Sequence, residues 1–284
     1  MKAVVLDGVV LGLQFGLLGV GMTLVYGLGG VLNLAYGQIV VLAGMVVAVI
    51  LTTGVGALVA AGGGLLAGAG AGVVLDQTLM RPVYRQPGER RVLLGLLLTL
   101  GAAFVIDGLL LWRAPTGALR LAIGGQAVAI LGVRMRVGSL WATGISLAVA
   151  ALLLGFRVTT PGRAAHAVIQ DEVGARLVGI SPAAVRTLVF AASGALAALV
   201  AETRSMTSPV SVTAGFDFTI LALIVAVVGG LGNVAGAFLA GVLLGVVSTV
   251  SAFYIGQYIT TIVLLAAAAA TIVVRPRGLL GRPP

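Results

Sequence analysis

The sequence predicts an all-α fold: a polytopic transmembrane helical bundle of about eight to nine spans. It forms a single integral-membrane domain over 1–284, with one short amphipathic helix on its cytoplasmic face. Three observations predict it. Of 284 residues, 60% are hydrophobic and only 9% are charged, whereas a soluble domain is about one quarter charged. Mean hydropathy is +1.19, so most of the surface must face lipid. Apolar runs approaching the roughly 20 residues needed to cross the hydrocarbon recur along the whole chain.

Those runs fall near 5–28, 37–53, 55–75, 92–112, 138–157, 186–201, 217–232, 235–254 and 256–274. The first could pass for a signal peptide. Asp7 interrupts it, however, and no small-x-small cleavage site precedes a polar start, so it is expected to be a retained span. Glycine and alanine are abundant within the runs. In lipid, small residues let helix backbones approach closely. A pair of segments, GGVLNLA at 29–35 and GGLGNVA at 229–235, share G-G-x-x-N-x-A. In a chain of this composition the echo is attributed to chance.

The polar connections sort by their basic residues. Arg81, Arg85, Arg90, Arg91, Arg157, Arg163, Arg176, Arg186, Arg275, Arg277 and Arg282 fall on one side of the alternation. Arg113, Arg120, Arg134, Arg136 and Arg204 fall on the other, with Lys2 unassigned. The positive-inside rule then places 76–91, 157–186 and the C-terminus in the cytoplasm. The stretch RLAIGGQAVAILGVRMRV, with β-branched residues and a GG turn, is expected to form a small extracytoplasmic hairpin. The net charge of +9 follows from these loops and does not point to nucleic acid.

Several chemistries are excluded. Without cysteine there are no disulfides, thiolate metal sites or thiol nucleophiles. A P-loop needs lysine after a glycine-rich turn, and the only lysine is Lys2. A zincin site needs two histidines, and His166 stands alone. Of eight acids only Asp107 lies well inside a predicted span, while Asp7, Glu202 and Asp217 sit near span ends. Neither catalysis nor a bound cofactor is expected, and a single carboxylate makes a thin proton relay. Energy for transport would therefore come from a partner, or the chain would be a passive channel.

The stretch GRAAHAVIQDEVGARLVGI, 162–180, concentrates four charged residues and the only histidine. Good helix formers run from Arg163 to Leu177. His166, Gln170 and Gly174 recur every fourth residue, with Val168, Ile169, Val173 and Leu177 on an apolar side. Ser181-Pro182 resembles an N-cap followed by proline at the first helical position. A helix lying on headgroups is usually rich in Lys and Arg, whereas this one carries Asp171 and Glu172. Docking into a protein groove accounts better for the mixed charge.

At this segment the chain resembles the permeases of branched-chain amino acid ABC importers. Their pattern runs roughly G-R-A-x-R-A…D-x-x-x-A-x-L-x-G-I, and Gly162, Arg163, Ala164, Asp171, Ala175, Leu177, Gly179 and Ile180 fit it. TLVYGLGGVLNLAYGQIVVLAG resembles the first-span signature, with Tyr36 where histidine is frequent. VVGGLGNVAGAFLAGVLLG and VVRPRGLLG match the family's glycine-rich region and its ending. Chain length resembles the shorter, LivH-type permease.

The resemblance implies that 162–180 is a coupling segment seated in an ATPase cleft, with Arg163, His166, Gln170, Asp171, Glu172, Arg176 and Gly179 as contacts. It implies a second, LivM-type permease subunit, two cytoplasmic ABC ATPases that bind the ATP, and an extracytoplasmic substrate-binding protein. It also implies an inner-membrane location and a cargo of leucine, isoleucine or valine; related systems carry urea or short amides. Asn33, Tyr36 and Asn233, beside glycine-broken spans, are candidates for the substrate pathway; the alternatives are helix–helix bonds for the two amides and an interfacial position for Tyr36. Glu202-Thr203-Arg204 and Leu221 depart from the family's usual residues.

Overall fold

The computed structural model describes residues 1–121, 127–130, 133–156, 158–275 and 278–279. It contains helices α1 (Lys2–Gly29), α2 (Tyr36–Thr52), α3 (Ala57–Leu75), α4 (Arg81–Val83), α5 (Gly88–Arg113) and α6 (Val137–Phe156). These are followed by α7 (Thr160–Gln170), α8 (Glu172–Leu177), α9 (Pro182–Thr207), α10 (Gly215–Gly229), α11 (Val234–Ile255) and α12 (Gln257–Val274). Among the described residues seven stretches are long and apolar enough to cross a membrane, with α3 and α4 joined into one by a π-helical turn, and two shorter apolar helices accompany them. The nine expected runs are therefore all helical, and the polytopic bundle is what the chain forms.

Glycine sets the closest packing. On α1, Gly8, Gly12 and Gly16 lie four residues apart on one face. A Cβ on Gly245 of α11 would sit 2.1 Å from the Gly12 Cα, and one on Gly241 would sit 2.3 Å from that of Gly16. The two backbones touch, which only glycine permits. The same device joins α3 to α9, where Gly68 and Gly72 meet the carbonyls of Gly194 and Phe190. Around α1 the apolar core gathers Leu17, Leu18, Val20 and Met22 with Ile39, Leu196, Val200, Ala222 and Ala237.

Two ends are distinct. At one, Met1 accepts a hydrogen bond from Tyr254, and β1 (Ala118–Leu119) pairs antiparallel with β4 (Val210–Ser211). A hairpin of β2 (Val128–Ile130) and β3 (Val133–Met135) stands there too. The expected hairpin exists, but its strands follow Gly124-Gly125, and those two residues lie outside the described ones. At the opposite end are the C-terminus of α1, the α4 region, α7, α8 and the chain after α12, where the Leu279 amide donates to the Val228 carbonyl. Arg81, Arg85, Arg90, Arg91, Arg163, Arg176, Arg186 and Arg275 share this arginine-rich end. Arg157, Arg277 and Arg282 lie outside the described residues. Lys2, unassigned from sequence, falls at the hairpin end.

At 1.5 Å per residue, the 17 residues of α2 reach about 25 Å, short of a ~30 Å hydrocarbon core, whereas α10 with the turn before it, Val212–Gly229, is long enough to cross. Their first turns meet inside: the Gly37 amide donates to Thr219 Oγ1 at 3.0 Å. The irregular backbone before α2 is covered by protein, the condition under which such backbone is tolerated at membrane depth.

Candidate functional site

The segment 162–180 is two helices, not the single one expected from Arg163 to Leu177. Thr159 caps α7 by accepting from the Gly162 amide, with Pro161 in the first turn. Asp171 then leaves helical geometry, at φ −152° and ψ 105°, and its Oδ1 accepts from the Val173 amide at 2.9 Å to start α8. Asp171 is thus an N-cap, and the fourfold spacing of His166, Gln170 and Gly174 does not form one continuous stripe. His166 Nε2 and Gln170 Nε2 lie 3.2 Å apart. At the far end Gly179 takes φ 84°, and the Ile180 amide returns to the Ala175 carbonyl at 2.9 Å, closing the helix as a glycine C-terminal motif does. Ser181 caps α9 as expected, with Pro182 in its first turn.

One side of this pair is glued to the bundle. Ala165, Val168 and Ala175 pack against Val185 and Val189 of α9 and Leu28 of α1. Glu172 adds a tether: its Oε1 accepts from Arg176 at 2.6 Å and from Arg186 of α9 at 3.3 Å. The opposite side is open. Val173, Leu177 and Val178 are 68%, 84% and 74% exposed. Around them stand Arg163, His166, Gln170, Asp171, Arg176 and Gly179, all exposed. A shallow cavity of about 370 Å³ beside them is bordered by Arg176, Ser181, Pro182 and Arg186. An apolar patch rimmed by charge, rigidly backed and uncovered by its own chain, has the make-up of an interaction surface.

The interior candidates behave differently from one another. Asn33 Oδ1 accepts from the Ala35 amide at 3.1 Å just before α2, and Asn233 Oδ1 accepts from the Gly236 amide at 3.1 Å at the start of α11. In both places a positive-φ glycine, Gly30 or Gly230, ends the preceding helix. The echo attributed to chance therefore corresponds to similar local structure: a glycine stop in both places, followed by an asparagine that bonds a nearby amide before α2 and caps α11.

Tyr36 is fully buried, not interfacial, and its ring fills the space left by Gly21 of α1. The bundle also buries two glutamines that were not singled out from the sequence, and a glutamate expected near a span end. Gln38 packs on Gly215, and Gln14 donates to the Thr203 carbonyl at 3.1 Å. Glu202 is 5% exposed within α9, beyond the expected end of that span at 201. Glutamines inside apolar runs were the available signal, because a buried amide in lipid demands a partner. Tyr36 Oη, Gln38 Nε2 and Glu202 Oε1 are buried without a hydrogen bond. Among the described residues no cluster of His, Asp and Glu could hold a metal ion.

Against known proteins, residues 4–273 match the family model described as branched-chain amino acid transport system / permease component. The chain belongs to this family. LivH, the high-affinity branched-chain amino acid transport system permease protein of Salmonella typhimurium, is 28% identical over 98% of the chain and 94% of its own length. LivH of Escherichia coli K12 has the same identity and coverage. BraD of Pseudomonas aeruginosa, another such permease protein, is 35% identical over 43% of this chain and 40% of its own. Among solved structures, PsaBC from Streptococcus pneumoniae in complex with Fab aligns over 95% of this chain and 91% of that one, with a TM-score of 0.52 at 12% identity. That likeness concerns the fold.

Proposed function

We propose that this permease is the transmembrane subunit of an ATP-driven importer for branched-chain or related amino acids, working by alternating access. It performs no chemistry on its cargo. Two cytoplasmic ABC ATPases bind the ATP, a LivM-type permease completes the membrane core, and an extracytoplasmic binding protein delivers the cargo. The arginine-rich end, with the C-terminus, faces the cytoplasm of an inner-membrane protein.

The observation that carries this reading is the exposed face of α7 and α8. Val173, Leu177 and Val178 project away from a segment pinned at both ends, on the side where the basic residues gather. Arg163, His166, Gln170, Asp171, Arg176 and Gly179 form its rim, and Glu172 holds it to α9. Of the pathway candidates, Tyr36 keeps a side-chain group free of internal hydrogen bonds, whereas Asn33 accepts from the Ala35 amide in the turn before α2 and Asn233 caps α11.

The test is a mild-detergent purification of the tagged protein from its native membrane, with co-purifying chains identified by mass spectrometry. Recovery of ABC ATPases and a second, longer permease is expected. A homo-oligomer without ATPase, under conditions that preserve other ABC complexes, would replace the importer with an ATP-independent facilitator.

A further inference from the structure

Behind the coupling face, at the same end of the bundle, lies a group with no part in docking. The chain leaves α3 through a π-helical turn, Asp76–Met80, and reaches Tyr84 just after α4. The Tyr84 ring rests on an apolar floor of Val25, Val31, Met80, Val83 and Phe190. It also fills the space that a side chain on Gly29 would need, at the C-terminus of α1. Two guanidinium groups lie against it: Cζ of Arg186 is 4.5 Å from the ring centroid and Cζ of Arg91, in the first turns of α5, is 4.6 Å from it. Both are within cation–π range.

Arg186 is also the residue that holds Glu172 of α8. A continuous line of contacts thus runs from α8 through Glu172, Arg186 and Tyr84 to Arg91 on α5, and from Tyr84 sideways to the end of α1. Nearby, Thr187 of α9 donates to Asp76 at 2.5 Å, tying the π turn to the same helix. Tyr84 Oη is buried with no hydrogen-bond partner, so the ring, not the hydroxyl, makes the connections. Burial pushes its phenol up to about 12; the ring meets the arginines as a neutral π system.

We infer that Tyr84 is a positioning residue for transport, the joint through which displacement of the coupling segment reaches α5 and the end of α1. This rests on the reading of α7 and α8 as the ATPase-facing segment. Cation–π contacts suit such a joint, because a guanidinium keeps its attraction while sliding over the ring. A hydrogen bond would break with the same displacement.

The experiment uses the assembled transporter in proteoliposomes, with its ATPases and binding protein and with radiolabelled leucine as cargo, and reads leucine taken up per ATP hydrolysed. Tyr84→Phe is expected to stay within twofold of wild type. Tyr84→Leu is expected to assemble and hydrolyse ATP while the ratio falls at least tenfold. A wild-type ratio in Tyr84→Leu, or equal damage in Tyr84→Phe, would overturn the inference. Should Tyr84→Leu fail to assemble, a second measurement decides. The chain has no native cysteine, so spin labels at Ala167→Cys in α7 and Glu89→Cys in α5 report both ends of the line. Nucleotide is expected to move both labels, and Arg91→Gln to leave the α5 label still while α7 moves. An α5 label that still follows α7 in Arg91→Gln refutes the joint. A wild-type complex that hydrolyses ATP without taking up leucine strikes at the cargo assignment alone, and the label pair still decides for Tyr84.

Discussion

Leu177→Ala separates docking from folding. In the isolated permease Leu177 is 84% exposed, so its removal forfeits almost no internal burial. Seated against an ATPase, the same side chain would lose nearly all its contact with water. Truncation to alanine removes three carbons, each worth about 0.8 kcal/mol when buried. Scaled by the exposed fraction, the loss on docking is about 2 kcal/mol, or roughly a thirtyfold weaker association. The assay is a titration of the ATPase onto permease in nanodiscs, run beside thermal unfolding of the permease alone. A weaker complex with an unchanged midpoint is expected. An unchanged affinity would refute the assignment of this face, and a lowered midpoint with intact affinity would show that Leu177 serves the fold instead.

Other outcomes follow from packing and charge. Gly245→Ala would thrust its Cβ to 2.1 Å from the Gly12 backbone and is expected to cost about 2 kcal/mol or more; Gly101→Ala, with nothing within 4 Å, should stay within about 0.5 kcal/mol in the same thermal assay. Thr187→Val removes the donor from Asp76, which is 2% exposed, and should destabilise by about 1–3 kcal/mol, with Thr187→Ser restoring the loss. Tyr84 holds its proton more tightly folded than unfolded, so its contribution is complete below about pH 10 and declines as pH rises toward 12. Thermal midpoints measured between pH 8 and 11.5 should therefore fall less steeply in Tyr84→Phe than in wild type; parallel curves would remove Tyr84 from the alkaline transition.

Nine apolar runs announced nine helices because, in lipid, hydropathy and secondary structure are nearly the same constraint. Where the reading fell short, a polar residue had a local task that hydropathy does not register. The run 186–201 ended before Glu202-Thr203-Arg204, yet α9 continues to Thr207, with Glu202 and Thr203 buried in the bundle and Gln14 donating to the Thr203 carbonyl. Periodicity carried one helix through Asp171, although an aspartate followed by an acidic first turn is also a start signal. The exposed face of α7 and α8 was legible as a mixed-charge amphipathic stretch, with one change: Val168 points inward, while Val173 and Leu177 point out. Tyr84 was not legible. Arg91 lies in the same connection, but Gly29 and Arg186 are distant in sequence and the four form no motif; only the fold collects them.

The glycine seam between α1 and α11 also bears on how the protein is made. Gly12 and Gly245, which meet backbone to backbone, lie more than two hundred residues apart in the chain. At about 5–20 residues per second, the first span waits roughly 10 to 50 s after synthesis for its closest neighbour to emerge. Until then its flattest face has no permanent occupant. A chain cut short before α11 would carry that face uncovered, giving membrane quality control a feature by which to tell an unfinished permease from a finished one.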